Sequence, residues 1–216
     1  VNPHRRLALW AGLLYLATFV TSIPALALKT AYLAGGDQNL ASAGAVLELL
    51  LAAACIGTAL TLYPITRRVS EPLALGFVAS RIVEATTIVT GTLALLAVVT
   101  LRGAGEPDTV AAAVHDWAFL LGPAVMAGVN GLLLATVLYR ARLVPRVIPL
   151  IGLIGAPILL ASSIAMLFGL WTQTSPIGAL SALPIAAWEL SLGLWLTFRG
   201  VRRITDSAEV PVAGAP

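Results

Sequence analysis

Four ionisable side chains, Glu48, Arg81, Glu84 and Glu189, each stand inside a long apolar run of the sequence. A charged group in hydrocarbon costs at least about 2.5 kcal/mol on insertion scales, so each needs a partner or a wet cavity. Three carboxylates face one guanidinium. Arg81 keeps its proton under any ordinary condition and can neutralise one Glu, while desolvation leaves the others expected to carry protons. A carboxyl group that gains and loses a proton beside a cavity is suited to exchanging protons against a bound ligand, or to general-acid chemistry on a lipid or isoprenoid. The bland alternative is a set of polar locks between helices, each worth about 0.6 kcal/mol on average.

Spacing puts these groups on shared faces. Arg81 and Glu84 lie three residues apart, on a helical stripe with Gly76, Ser80, Thr87 and Gly91. Ala182, Ala186, Glu189 and Gly193 form a comparable stripe, and Asn130 adds a polar group near the depth of Arg81, with Pro123 above it. Gly152, Ala156 and Pro157 suit close packing and a kink. At about 1.5 Å per residue, Arg81 and Glu189 lie roughly 12 to 14 Å deep, and Glu84 and Glu48 roughly 18 to 25 Å deep. All four charges are therefore expected to meet in one place. His115 and Asp116 form a second tier; adjacent helical residues diverge by about 100°, so they are not expected to pair, and Asp116 suits a helix N-terminus on dipole grounds. His4 and His115 fall at opposite ends of the spans, which argues against a metal. Cys55 reads as a small buried hydrophobe with no disulfide partner in the chain. HExxH, GxSxG, P-loop and dinucleotide fingerprints are absent, so no cofactor is implied.

The elements that must position these residues are six apolar runs, approximately 7–28, 40–65, 73–101, 110–139, 147–171 and 177–198, each long enough to span about 30 Å of hydrocarbon as a helix. Charged residues make up 11% of the chain and mean hydropathy is +0.95, a bilayer composition that leaves no room for a separate soluble domain. Period-two alternation, the mark of a membrane barrel, is missing. Ser70-Glu71-Pro72, Asp108-Thr109 and Ser175-Pro176 are helix-start signals at three of the breaks. Ten basic residues (Arg5, Arg6, Arg67, Arg68, Arg140, Arg142, Arg146, Arg199, Arg202 and Arg203) collect on one side of this topology, against Lys29 and Arg102 on the other. The positive-inside rule makes the first side, and both termini, cytoplasmic. Trp10, Tyr63 and Tyr139 mark that interface, and Tyr32, Trp117 and Trp171 the other. Basic residues at helix ends are explained by orientation, so nucleic-acid binding is not implied. The polar segment 204–216 reads as a disordered tail. The start of the chain also has the pattern of a signal peptide, with Arg5-Arg6 and Ala25-Leu26-Ala27, but its apolar run exceeds the usual length. A faint echo of the second and third runs in the fourth and fifth hints at duplication.

The motifs Gly12-Leu13-Leu14-Tyr15, Arg81-Ile82-Val83-Glu84, Arg142-Leu143-Val144-Pro145 with Gly152 and Gly155, and Glu189 with Gly200 occur in an order and spacing that resembles a bacterial membrane family. This is the domain of unknown function numbered four-three-eight-six. The resemblance covers nearly the whole chain and implies a six-helix protein of the bacterial inner membrane, without an activity or catalytic residues to carry over.

The expectation is an all-α, six-helix bundle with a polar centre at Glu48, Arg81, Glu84, Asn130 and Glu189 that binds a small-molecule or lipid ligand, with proton exchange. Its rivals are an intramembrane enzyme using a protonated Glu, and a scaffold for another membrane protein. A cavity open to water favours transport, one open sideways to lipid favours the enzyme, and a solid core favours the scaffold. No feature of the sequence specifies an oligomeric state.

Overall fold

Apolar runs of this length satisfy their backbone in hydrocarbon by i to i−4 hydrogen bonding. In the computed structural model, which describes residues 3–202, every regular element is helical: α1 (Pro3–Leu33), α2 (Gln38–Thr66), α3 (Glu71–Ala104), α4 (Thr109–Phe119), a π-helical segment (Leu120–Met126), α5 (Ala127–Arg140), α6 (Val147–Leu167) and α7 (Pro176–Phe198). The segments α4, π and α5 run on as a single rod, so six rods are long and apolar enough to cross a membrane. The segment 204–216, expected to form a tail, lies outside the described residues, as does Arg203.

The local starts follow the capping chemistry. Ser70 is extended at φ −160° before α3, with Pro72 in the first turn, where its missing N–H costs nothing. Ser175 Oγ accepts from the N–H of Gly178 at 3.2 Å, and Asp37 accepts from Asn39 at 2.8 Å at the start of α2. Two ends differ from the sequence reading. The first helix does not stop near residue 28 but continues to Leu33, which carries Lys29 inside the helix. The fifth rod ends at Leu167, because Gly169 turns the chain left-handed at φ 72° and Trp171 folds back to donate to Ser162 Oγ at 3.1 Å.

Each rod packs on its successor in the chain, and α7 packs back on α1, closing a ring. Small residues permit this. A Cβ on Gly12 would fall 2.5 Å from the backbone N of Thr197, and one on Gly155 would fall 2.9 Å from the backbone N of Ile185. Irregular helix falls at Pro123 and not at Pro157, through which α6 continues. Pro123 has no N–H to donate and its ring crowds the preceding turn; the wider π turn accommodates both.

The arginine-rich end is filled by the main core, which includes Tyr15, Leu62, Phe77, Leu138, Trp188 and Leu196. Leu143 and Val144, in the connection from α5 to α6, are wholly buried beneath it. Arg5 closes the last turn of α7 by donating to the carbonyls of Leu196, Thr197 and Phe198 at 3.2, 2.7 and 3.2 Å, the favoured placement of a cation at a helix C-terminus. Val20, Leu60, Leu93, Ile154 and Leu183 point outward, an apolar exterior that suits hydrocarbon.

Candidate functional site

Arg81 on α3 is the hub. Its Nη1 donates to Glu84 Oε2 at 2.8 Å, one turn on in the same helix, and its Nη2 to Glu189 Oε1 on α7 at 3.3 Å. The guanidinium lies over the rings of Tyr15 and Phe77, 5.2 and 5.7 Å from their centroids, and reaches Cys55 Sγ at 3.6 Å. Four helices thus meet at one centre, to which α1 and α2 supply Tyr15 and Cys55. Aromatic faces suit a cation whose remaining surface would otherwise be desolvated without compensation.

The two carboxylates have different surroundings. Glu84 is held from two sides, since Asn130 Nδ2 also donates to its Oε2 at 2.6 Å. Ser80 donates to Asn130 Oδ1, which fixes the amide so that its N–H2 faces Glu84. Glu189 has the single longer bond to Arg81, and its side chain is 18% exposed against 6% for Glu84. Trp188 sets its direction: that ring is buried against Gly152 on α6, where a Cβ would stand 2.7 Å from Trp188 Cδ2. Glu84 is therefore the more tightly held carboxylate and Glu189 the more exposed one.

Glu48 does not join this centre, contrary to the sequence expectation. Its carboxylate pairs with Lys29 Nζ of α1 and accepts from Thr92 Oγ1 of α3 at 2.9 Å. Thr92 lies eight residues beyond Glu84, about 12 Å further along α3. The expected single cluster is thus two stacked ones, because a second buried cation exists. Sequence reading placed Lys29 at a helix flank and missed Thr92. The signal for Lys29 was that Thr30 to Leu33 contains neither Pro nor Gly, so nothing stops α1 at residue 28. Tyr15 was visible only as part of a motif.

His115 and Asp116 also depart from expectation. His115 Nδ1 lies 3.1 Å from Asp116 Oδ1, although the two Cβ directions diverge. Nδ1 is the ring nitrogen nearer the backbone, so a short neighbouring carboxylate can reach it. His115 is buried, and its Nε2 has no partner among the described residues.

Three cavities connect these groups. A chamber of about 120 Å³ is lined by Arg81, Glu84, Glu189, Cys55, Thr18 and Ser22, among others. A groove of about 470 Å³ shares Glu189, Pro123 and Ala127 with the chamber, and has an apolar wall that includes Leu26, Phe119, Leu159, Met166 and Ile185. A mouth of about 370 Å³ shares Leu26, Phe119, Gln173 and Thr174 with the groove and adds Lys29, Thr30, His115 and Asp116. From Gly178 to Glu189 the groove follows α7 for eleven residues, about 16 Å. Volumes of this size, mostly apolar with a few polar groups at one end, are those of small-molecule sites. Among the described residues no three His, Cys, Asp or Glu side chains stand together so as to hold a metal ion.

No curated protein and no solved structure matches this chain. One family model does, across residues 10–200, and it takes in the Arg81 centre, the Lys29–Glu48 pair and the connection bearing Leu143 and Val144. The chain belongs to the family described as Domain of unknown function (DUF4386).

Proposed function

We propose that this chain is an integral protein of a bacterial inner membrane, with both termini cytoplasmic, that binds a small amphipathic ligand in the groove and exchanges a proton at Glu189. The ten-to-two division of basic residues between the two ends supports the orientation. On that reading the arginine-rich end is closed toward the cytoplasm by the main core, and the mouth at Gln173 and Thr174 faces the opposite side. The observation that carries the reading is the position of Glu189, which lines both the polar chamber and the apolar groove. A ligand with an apolar body lies along α7 and meets the carboxylate at its inner end. Arg81, gripped by Glu84 and two aromatic rings, holds Glu189 in place without leaving the site.

A lengthwise groove that reaches loop level favours exchange with the aqueous side over lateral access from lipid, and a void of this size favours either over a scaffold. Passage to the cytoplasm would require Leu143 and Val144 to move.

The test is labelling with a hydrophobic carbodiimide, which attacks protonated carboxyls in apolar surroundings. Mass spectrometry of the purified protein is expected to find the adduct on Glu189 and not on Glu84 or Glu48. Absence of an adduct on Glu189, or equal labelling of Glu84, refutes the reading.

A further inference from the structure

The charges along the path to Glu189 differ in availability. Both cations are paired with carboxylates: Lys29 is 3% exposed at its side chain and bound to Glu48, and Arg81 is 2% exposed and bound through both terminal nitrogens to Glu84 and Glu189, with only its buried Nε lacking a partner among the described residues. Lys29 also lies over the ring of Phe119, 4.7 Å from its centroid. The two more exposed charged groups, each with a single partner, are carboxylates. Asp116 stands at the mouth with a side chain 75% exposed, and Glu189 stands at the inner end with one 3.3 Å bond to Arg81. His115 adds to this. Its Nδ1 lies 3.1 Å from Asp116 Oδ1, and its buried Nε2 is without a partner among the described residues, a polar atom at the mouth that accepts from an N–H in the tautomer whose Nδ1–H donates to Asp116. The chamber holds one guanidinium and two carboxylates, so with all three ionised it lacks one positive charge.

We propose that the ligand is a lipophilic cation, an organic ammonium or its equivalent, whose charge replaces the proton of Glu189 while its apolar body fills the groove between α7 and the Pro123 turn. The inference rests on the reading of Glu189 given above and adds the sign of the ligand's charge. In the exchange the carboxyl O–H of Glu189 breaks, its proton passes to water through the mouth, and the cation takes up the charge left on the carboxylate. No redox partner is needed. An anion of the same shape would meet two carboxylates and, among the described residues along the path, no free cation, an arrangement that selects against it.

Two probes of nearly equal size and opposite charge decide the matter: tetraphenylphosphonium and tetraphenylborate, titrated against the detergent-purified full chain by equilibrium dialysis. The phosphonium is expected to bind saturably and to slow carbodiimide labelling of Glu189, whereas the borate does neither. Glu189→Gln is expected to weaken phosphonium binding by about thirtyfold or more, as loss of a buried partner to a charge does. Asp116→Asn, which removes an exposed charge while keeping an amide oxygen for His115 Nδ1, weakens it roughly twofold. Equal or tighter binding of the borate overturns the proposal. So does phosphonium binding that leaves Glu189 labelling unchanged, a result obtained on the unaltered protein whatever the variants do. Binding of neither probe, with Glu189 still labelled, removes the cation while leaving the groove reading in place; failure to label Glu189 at all removes both.

Discussion

Lys29 of α1 and Glu48 of α2 form an ion pair whose side chains are only 3% and 8% exposed. Glu48 is completed by Thr92, and Lys29 by the ring of Phe119, so α1, α2, α3 and α4 meet at this pair. It is the structural counterpart of the Arg81 centre, and it explains why Glu48 is free of that centre.

Replacing Lys29 by Met leaves Glu48 buried without its cation. Breaking a buried pair on one side costs about 3 to 5 kcal/mol, whereas replacing both partners by apolar groups is often neutral. Lys29→Met is therefore expected to lower thermal stability sharply in detergent, and the double variant with Glu48→Met to recover most of it. A double variant as unstable as the single one contradicts this pairing.

Arg81→Ala is expected to be severe on the same grounds, about 3 to 5 kcal/mol, since it strands Glu84 and Glu189 together. Arg81→Lys should rescue only part of the loss. A point-like ammonium cannot serve Glu84 and Glu189 at once while stacking between Tyr15 and Phe77. Unchanged melting of Arg81→Ala would rule out a buried ion cluster at this position.

Glu189→Gln retains a polar group that accepts from Arg81, at a position already partly exposed, and is expected to fold with a stability within about 1 kcal/mol of the parent. Asn130→Ala removes a buried donor to Glu84, while Ser80 keeps the Phe77 carbonyl as its acceptor, so it should cost about 1 to 3 kcal/mol. Parallel melting curves of the two variants test the distinction between the more exposed and the more tightly held carboxylate. A Glu189→Gln variant less stable than Asn130→Ala reverses that assignment.

Gly155→Val tests the close approach of α6 to α7. A Cβ there would stand 2.8 to 2.9 Å from Pro184 and from the backbone N of Ile185, which cannot swing aside. Overpacking of this kind costs about 1 to 3 kcal/mol and displaces backbone. The expected outcome is loss of folded yield together with altered fluorescence from Trp188, which follows Ile185 by one helical turn and packs on the same helix α6 at Gly152. Normal yield and an unchanged spectrum would show that the two helices are not packed this closely.

Much of the candidate site was legible from spacing. The i, i+3 pair Arg81–Glu84 depends only on helical periodicity, and Asn130 and Glu189 were placed near it by counting depth along spans whose ends were marked by arginines. The Lys29–Glu48 pair was not legible, because it depends on α1 running five residues past the apparent end of its apolar run and on α1 and α2 being neighbours in the ring. The contact of His115 with Asp116 was missed for a related reason: Cβ directions describe where side chains leave the helix, not where a ring atom close to the backbone ends up.

Hydropathy and run length determined that this chain forms six long helices, since a backbone in hydrocarbon must satisfy its own hydrogen bonds, and the positions of Pro, Ser and Asp marked three of the helix starts. Tertiary structure alone decided which carboxylate pairs with which cation and which of them is left facing a void. Those outcomes depend on helix order, rotation and the close contacts of Gly12, Gly152 and Gly155, and a one-dimensional pattern of apolar residues does not encode the angle at which one helix meets the next.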